Sequence, residues 1–465
     1  MKKILFIAAI ILLLPVAVFA GTRNKVLGML FTSTTCPPCV AANAALDQVL
    51  AERESTLAVV RFHMNWPSPG NDPWYHYDPA MNNFWRAMYA IDAVPTFVAD
   101  GMTAGVSTSI VDMKAAEPTT LQISIYRQYP VSSLYESGNG KVKVELYNED
   151  KNEATFKLYG ALTESEVLYT GTNGDPEHDQ AVFDMIPEYD GTLVTLKKYE
   201  RKMFEFDFTT NHTINTTPDP HDVVAGNCEL VFWCQEASGK LIYNAAKAKV
   251  VGADSAAPVM ILSNIQVFDS NQNGSLEPSE EAEVKVTITN SSDSPIENAH
   301  VFLTIDDTKV DVIDGYAEIP LIAPGEAYVV EESKGDGLKL KTKSSYVKDT
   351  PFDMTAEAGS GEGYWSSYVQ PLGINEETKP EFWTSVASVI TTSNTAISLS
   401  LPASGAVELN LFDVSGARVK TLYSGSLNAG RHELPISLDN LSNGVYFVRI
   451  AAGENTSVSK VVVSR

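Results

Sequence analysis

The chain is poor in cysteine and poor in positive charge. Of its 465 residues only four are cysteine: Cys36, Cys39, Cys228 and Cys234. So few bridges cannot brace a chain of this length, which excludes a disulfide-dense scaffold. Lys and Arg number 34 against 58 Asp and Glu, a net charge of −24. That deficit argues against nucleic acid as a partner, because phosphates are held by Lys and Arg. An acidic balance of this kind suits solubility outside the cell. Long apolar runs are also missing beyond the amino end. Past residue 20 no stretch approaches the roughly 18 apolar residues that a membrane span needs.

What is present at the amino end is a targeting pattern. Lys2 and Lys3 precede the apolar run Ile4–Val18, and Val18-Phe19-Ala20 offers small residues for cleavage. Residues 1–20 read as a secretory signal, removed in the mature chain. No cysteine stands near the cut, so a lipid anchor is not expected there, nor a membrane span once the signal is gone. The composition is globular, and the length calls for roughly three or four domains of about 100–200 residues.

Residues 21–115 mix strand and helix signals. "KVLGMLF" and "LAVVRFHM" are buried-strand candidates, "VAANAALDQVLAERES" and "AMNNFWRAMYAI" carry helical spacing, and "PTFVADG" is a short strand ending in a turn. Alternating elements of this kind predict an α/β layer. From 116 to 251 the texture becomes strict alternation, as in "KVKVELYNE", "KMFEFDFTT" and "ELVFWCQEA". That predicts a β-sandwich. "GADSAAP" reads as a linker. A second sandwich is expected over 258–375, and a compact β unit over 390–465.

The cysteines divide into two pairs. Cys228 and Cys234 flank "ELVFW" on one strand, which puts their Cα atoms about 20 Å apart at 3.3 Å per residue. A disulfide needs less than about 7 Å, so two half-buried free thiols are expected. Cys36 and Cys39 lie in "TSTTCPPCVAAN", between a strand and a helix. The partial positive charge of a helix N-terminus favours a thiolate on the first of them. The second, one turn on, can resolve a mixed disulfide. Pro37 suits the first helical turn. A zinc site would want four ligands, yet there is no second Cys-x-x-Cys, and His63 and His76 complement the pair poorly. A bare staple closes too short a loop to stabilise much. An inactive former site stays open as an alternative.

With "AIDAVPTFVADG" downstream, residues 24–105 resemble the thioredoxin fold. There a strand leads to Cys-x-x-Cys at a helix start, and a cis proline later enters a strand beside the disulfide. The resemblance implies that Cys36 attacks, Cys39 resolves and Pro95 faces the disulfide. It implies no cofactor for the redox step, and exported protein thiols or disulfides as partners. The chain departs from the family at three places. Thr35 replaces the usual Trp, Leu30 stands where a buried acid is usual, and "NWPSPGNDPWYHYDP" is inserted. That insert is expected to be a lid or rim over the dithiol, or a surface loop packed by its own aromatics. Because Pro37 and Pro38 carry no N–H, only the Cys39 N–H and the helix dipole remain to hold a Cys36 thiolate. The expectation is a modestly lowered thiol pKa and a reducing potential.

Residues 269–280, "DSNQNGSLEPSE", follow the twelve-residue calcium pattern. Asp269, Asn271, Asn273, Ser275 and Glu280 are the expected ligands, Glu277 is ninth, and Gly274 allows the sharp turn. The flanks read as strands, so the expectation is a structural Ca²⁺ in a β-loop, not an EF-hand. It resembles the loops of exported bacterial sandwich modules.

The last unit carries "FDVSGARVKTL", "GVYFVRIAAG" and "KVVVSR". It resembles the sorting domains of type IX secretion cargo and the related FlgD-type Ig-like modules. That resemblance implies passage through the periplasm to the cell surface or medium, with the secretion machinery as partner. The whole reads as an exported thiol–disulfide oxidoreductase. The rival reading is a non-enzymatic surface or adhesion protein with a vestigial thioredoxin-like part.

Overall fold

The computed structural model describes residues 21–463 apart from 22, 69, 129–137, 252–259, 272, 274, 291, 336, 349, 351, 361–363, 373–381, 387–389, 392–393, 440 and 454. The expected signal at 1–20, the linker at 252–258 and Gly274 lie outside the described residues.

The run "VLGMLFT" becomes β1 (Val26–Thr32), with every residue buried. A strand apolar on both sides must be covered on both faces. Pro37 and Pro38 then open α1 (Pro37–Glu52), which buries Cys39, Asn43, Leu46 and Val49. β2 (Leu57–His63) lies parallel to β1, with Val26 opposite Leu57 and Thr32 opposite His63. The aromatic insert yields α2 (Pro73–Tyr77), followed by α3 (Pro79–Tyr89). Each starts on an Asp-Pro step: Asp72 accepts the Tyr75 N–H and Asp78 the Met81 N–H. Such caps satisfy donors that a helix start leaves open. β3 (Thr96–Ala99) runs antiparallel to β1 and pairs with β4 (Met102–Ala104). α4 (Thr108–Ala115), capped by Ser107, follows.

Strands then dominate: β5 (Leu121–Gln128), β6 (Asn139–Asn148), β7 (Ala154–Glu164), β8 (Val167–Leu168), β9 (Glu177–His178), β10 (Ala181–Ile186), β11 (Thr192–Leu196), β12 (Arg201–Thr209), β13 (Thr213–Ile214), β14 (His221–Asp222), β15 (Cys228–Glu236) and β16 (Ile242–Lys249). β10 pairs with β2 at Ala181 and Arg61. One nine-stranded sheet therefore runs β16-β15-β7-β10-β2-β1-β3-β4, with β11 on β7. This corrects the expectation of an α/β layer standing alone over 21–115, because the sheet crosses the boundary expected at 115/116. The physical reason is the outer edge of β2, which would otherwise leave unpaired backbone groups exposed. The described part of the protein is mostly β in several sheets. Among the described residues, α-helix is confined to the four segments between 37 and 115.

Alternation on β15 fixes what each face packs against. Cys228, Leu230, Phe232 and Cys234 share a core with Ile123, Val144 and Leu146 of β5 and β6. Val231 and Trp233 turn to the other side, toward Trp85 and Tyr89 of α3. On the far side of β1 and β2, α1 and α4 close a third core through Leu46, Val49 and Val111.

β12, β6 and β5 belong to a seven-stranded sheet that continues through Tyr364–Leu372, Phe352–Gly359, Ile296–Ile305 and Tyr316–Ile322. The two sandwich-like parts expected over 116–251 and 258–375 thus share a sheet. A five-stranded sheet drawn from 260–342 packs on the second part, with Val284, Ile288, Val301 and Ile319 in its core. The terminal unit stacks a three-stranded on a five-stranded sheet around Leu399, Leu409, Leu434 and Ile450.

Candidate functional site

The sequence "STTCPPC" gives a tight turn into α1. Cys36 is extended (φ −105°, ψ 107°) and stands just before Pro37, with no side-chain cap. Its carbonyl accepts the Cys39 N–H at 3.1 Å. That N–H, expected to serve a thiolate, is therefore already engaged. Cys36 and Cys39 form a disulfide with Cα atoms 5.3 Å apart. The Val94–Pro95 peptide is cis, and Cys36 Sγ lies 3.6 Å from Val94 O. The carbonyl that precedes Pro95 therefore lies beside the disulfide. Both cysteines are buried, at 1% and 0% exposure.

The polar surroundings come from far along the chain. On one side the aromatic insert grips the turn. Thr34 donates its N–H to Asp72 Oδ2 at 2.8 Å, and Thr35 Oγ1 donates to Pro67 O at 3.1 Å. Asp72 is fully buried and also meets His63 Nδ1 at 2.8 Å. Burial alone would raise the Asp72 pKa. The His63 charge and the N–H groups of Thr34 and Tyr75 outweigh it and hold the carboxyl below its usual range. Trp74, 1% exposed, pegs the insert into the sandwich core. The insert is therefore not a surface loop packed by its own rings.

On the other side stands the turn between β8 and β9. Asn173 donates its backbone N–H to Thr34 O at 3.1 Å. Its side-chain amide donates to Ser33 O at 3.1 Å and Cys36 O at 3.2 Å. Beneath, Thr32 Oγ1 meets Asn43 Oδ1 at 3.1 Å and Asn43 Nδ2 donates to Asp175 Oδ2 at 2.8 Å. His178 lies 6.0 Å from His63, ring to ring, and burial first, then the His63 charge, push its pKa down to about 4. Leu30, at the usual place of an acid, is packed in the apolar core beside α1.

Asp72, Asn173 and Asp175 escaped the sequence reading because each is remote from Cys36. The available signals were the helix-opening "DP" at 72–73 and the turn signature "TNGDP" at 172–176. Cys228 and Cys234 are free and buried, and burial pushes both thiol pKa values well up. A cleft of about 330 Å³ beside α1, lined by Asp47, Glu54, Cys228 and Lys247 among others, includes neither Cys36, Cys39 nor Pro95.

The calcium-type loop joins the strands Met260–Asp269 and Glu281–Asn290, which pair at Asp269 and Ala282. Asp269 Oδ2 and Asn271 Oδ1 both accept the Asn273 N–H, at 2.6 and 3.0 Å. Asn273 Oδ1 accepts the Ser275 N–H at 2.8 Å. Glu280 folds back, taking Ser270 Oγ at 3.1 Å and the Glu277 N–H at 2.9 Å. Four of the expected donors, Asp269, Asn271, Asn273 and Glu280, thus take part in hydrogen bonds within the loop. Among the described residues no three His, Cys, Asp or Glu side chains are placed to hold a metal.

Residues 391–464 match the family described as the secretion system C-terminal sorting domain. The match covers the terminal β unit. It marks export and surface attachment or release by type IX secretion, and implies contact with that machinery. Among the described residues no helix is long and apolar enough to cross a membrane. No curated protein matches the chain. Among solved structures, it is similar to a protein of Agrobacterium tumefaciens at 13% identity and a TM-score of 0.34, over 50% of this chain and 98% of that one. It is similar to red sea bream transglutaminase at 13% identity and a TM-score of 0.20, over 69% of this chain and 42% of that one. It is similar to dimeric latent PorU from Porphyromonas gingivalis at 9% identity and a TM-score of 0.17, over 82% of this chain and 37% of that one. These partial likenesses carry no argument about fold or activity.

Proposed function

We propose that the protein is an exported thiol–disulfide exchange protein in which residues 21–115 supply a thioredoxin-like part built into a larger sheet. The observation that carries this reading is the Cys36–Cys39 disulfide at the first turn of α1, with Cys36 Sγ 3.6 Å from the carbonyl preceding Pro95. In the reduced protein the Cys36 thiolate attacks a substrate disulfide, forming a mixed disulfide and releasing one substrate thiolate. Cys39 then attacks Cys36 Sγ, which releases the second thiol and restores the Cys36–Cys39 bond. Two electrons pass from the dithiol to the substrate. With no N–H left over for Cys36, only the helix dipole favours its thiolate, so the expected potential is reducing.

Insulin reduction by the full chain, lost in Cys36→Ser, tests this. Trapping with Cys39→Ser strands the mixed disulfide and identifies the partner proteins. No turnover and no trapped partner sink the reading. The burial of both sulfurs favours the second reading, a non-enzymatic surface protein in which the disulfide is structural. Binding to a surface ligand that survives Cys36→Ser supports that alternative.

Asp269, Asn271, Asn273, Ser275 and Glu280 fit a Ca²⁺ ion. What supports this is the placing of hard oxygen side chains at alternate positions of one loop, the donor type that cation takes. The ion would tie the loop's two strands together, a stabilising role without catalysis.

A further inference from the structure

The two sides of the "STTC" turn are held unequally. On the insert side Asp72 and Trp74 are buried at 0% and 1% exposure, and moving that side would pull an indole out of a core. On the other side residues 170–175, "TGTNGD", contain no apolar side chain. Thr172 and Gly174 at its tip are exposed. Its supports, β8 and β9, are two residues each. Its flanks are anchored, since Val167 is buried and Tyr169 and His178 pack on Trp74 at 5.9 and 5.0 Å, so the part free to open is confined to 170–175. What fixes that part to the turn is a handful of hydrogen bonds: Asn173 to the carbonyls of Ser33, Thr34 and Cys36, and Asp175 to Asn43. The fit is nonetheless close. A Cβ on Gly171 would stand 2.4 Å from Thr34 O. Segments with few apolar contacts open locally at low free-energy cost while the rest stays folded.

We propose that the Gly171–Asp175 turn is a latch on the Cys36–Cys39 disulfide. Closed, it pins the carbonyls of Ser33, Thr34 and Cys36 and keeps thiols from the sulfurs. Opened, it exposes Cys36, and the rate of opening sets the rate of exchange. Asn173 is a positioning residue in this scheme. The inference rests on reading the disulfide as an exchange site, and it explains how a site buried at rest can react.

The test uses the oxidised full chain and dithiothreitol, followed by denaturing quench and mass tagging of free thiols. Dithiothreitol gives up two electrons and two protons as it closes to its cyclic disulfide, and Cys36 and Cys39 take them up as thiols. Asn173→Ala and Gly171→Val are expected to be reduced about tenfold faster than wild type, the effect of losing one or two hydrogen bonds. Gly226→Ala, where a Cβ meets nothing within 4 Å, keeps the wild-type rate. Unchanged rates in both folded variants overturn the latch. Should the variants not fold, hydrogen exchange on the oxidised wild type decides. Amides of 171–175 exchanging far faster than those of β15 support the latch, and equal protection overturns it. Faster reduction without insulin turnover leaves the latch standing and removes the enzyme reading.

Discussion

The two cysteine pairs have the same composition and opposite fates. Cys36 and Cys39 straddle a helix start and are bridged. Cys228 and Cys234 lie on one face of β15, six residues apart, and stay free. Burial is nearly equal, since all four are at most 1% exposed. What separates them is local geometry and neighbourhood. The first pair sits among polar groups on loops, with a helix dipole at hand. The second sits among Leu230, Phe232 and Val144 in a packed core. Burial by itself therefore does not set a thiol's chemistry. What surrounds it, and how easily that surround moves, does.

The sharpest way to break the comparison is differential labelling. In the reduced, folded protein, iodoacetamide should modify Cys36 about a thousandfold faster than Cys228 or Cys234, because the helix dipole favours its thiolate while burial in an apolar core pushes the other two thiols up. Equal rates by peptide mapping would erase the distinction. Next in size, Trp74→Ala should lower stability by about 3–5 kcal/mol, as for other buried aromatics. It should also speed reduction of the bridge while leaving the β15 thiols protected. Chemical denaturation and dithiothreitol kinetics measure both.

Acid should weaken the first pair's surroundings through a buried imidazole, whereas the second pair's core cluster is made of apolar side chains. Unfolded His178 binds its proton near pH 6.5, but folded His178 only near 4. Between these values the unfolded chain takes up more protons, so stability is complete above about pH 6.5 and is lost as pH falls toward 4. The depressed Asp72 extends the loss to lower pH. The expected fall is roughly 3 kcal/mol at most, and His178→Gln should flatten the slope seen in urea titrations between those values.

Smaller still, saturating Ca²⁺ should stabilise the protein by about 1–2 kcal/mol, an effect removed by chelation and by Glu280→Gln in thermal melts. Smallest, Cys234→Ala should cost about 1 kcal/mol and leave exchange unchanged, which checks that the second pair is packing alone.

Local patterns reached the surface of this architecture and missed its joins. The periodicity of "VLGMLFT" and "LAVVRFH" gave β1 and β2 within a residue or so, because a buried strand announces itself by its own composition. That β10 would pair with β2 is not written in either strand. It follows from which edge is left open once α1 and α4 are packed. The same holds at the disulfide. Cys36, Cys39 and Pro95 were legible because "CPPC" and "VPT" are short motifs. Asn173 was not, because its role lies in a side-chain amide and a backbone N–H that together reach three carbonyls more than a hundred residues away. Of the two readings of the insert, the self-packed surface loop fails for a related reason. Its Trp and Tyr residues were counted, but whether Trp74 packs within the loop or into a neighbour's core depends on a sheet formed later in the chain.

The shared seven-stranded sheet has a consequence for how a pull on the last unit would travel. Traction on that end is delivered to the strand Tyr364–Leu372, which lies parallel to β5 and, among the described residues, pairs with it at Tyr364–Arg127 and Trp365–Gln128. The ion pair between Lys143 of β6 and Glu357 bridges the same seam. Tyr126 meets His300 there too, at 2.8 Å. Tension therefore arrives at a seam held largely by side chains, among them Arg201 to Glu318 and His300 to Glu145. Single-molecule stretching should part the molecule at that seam before it unravels the nine-stranded sheet that holds the disulfide.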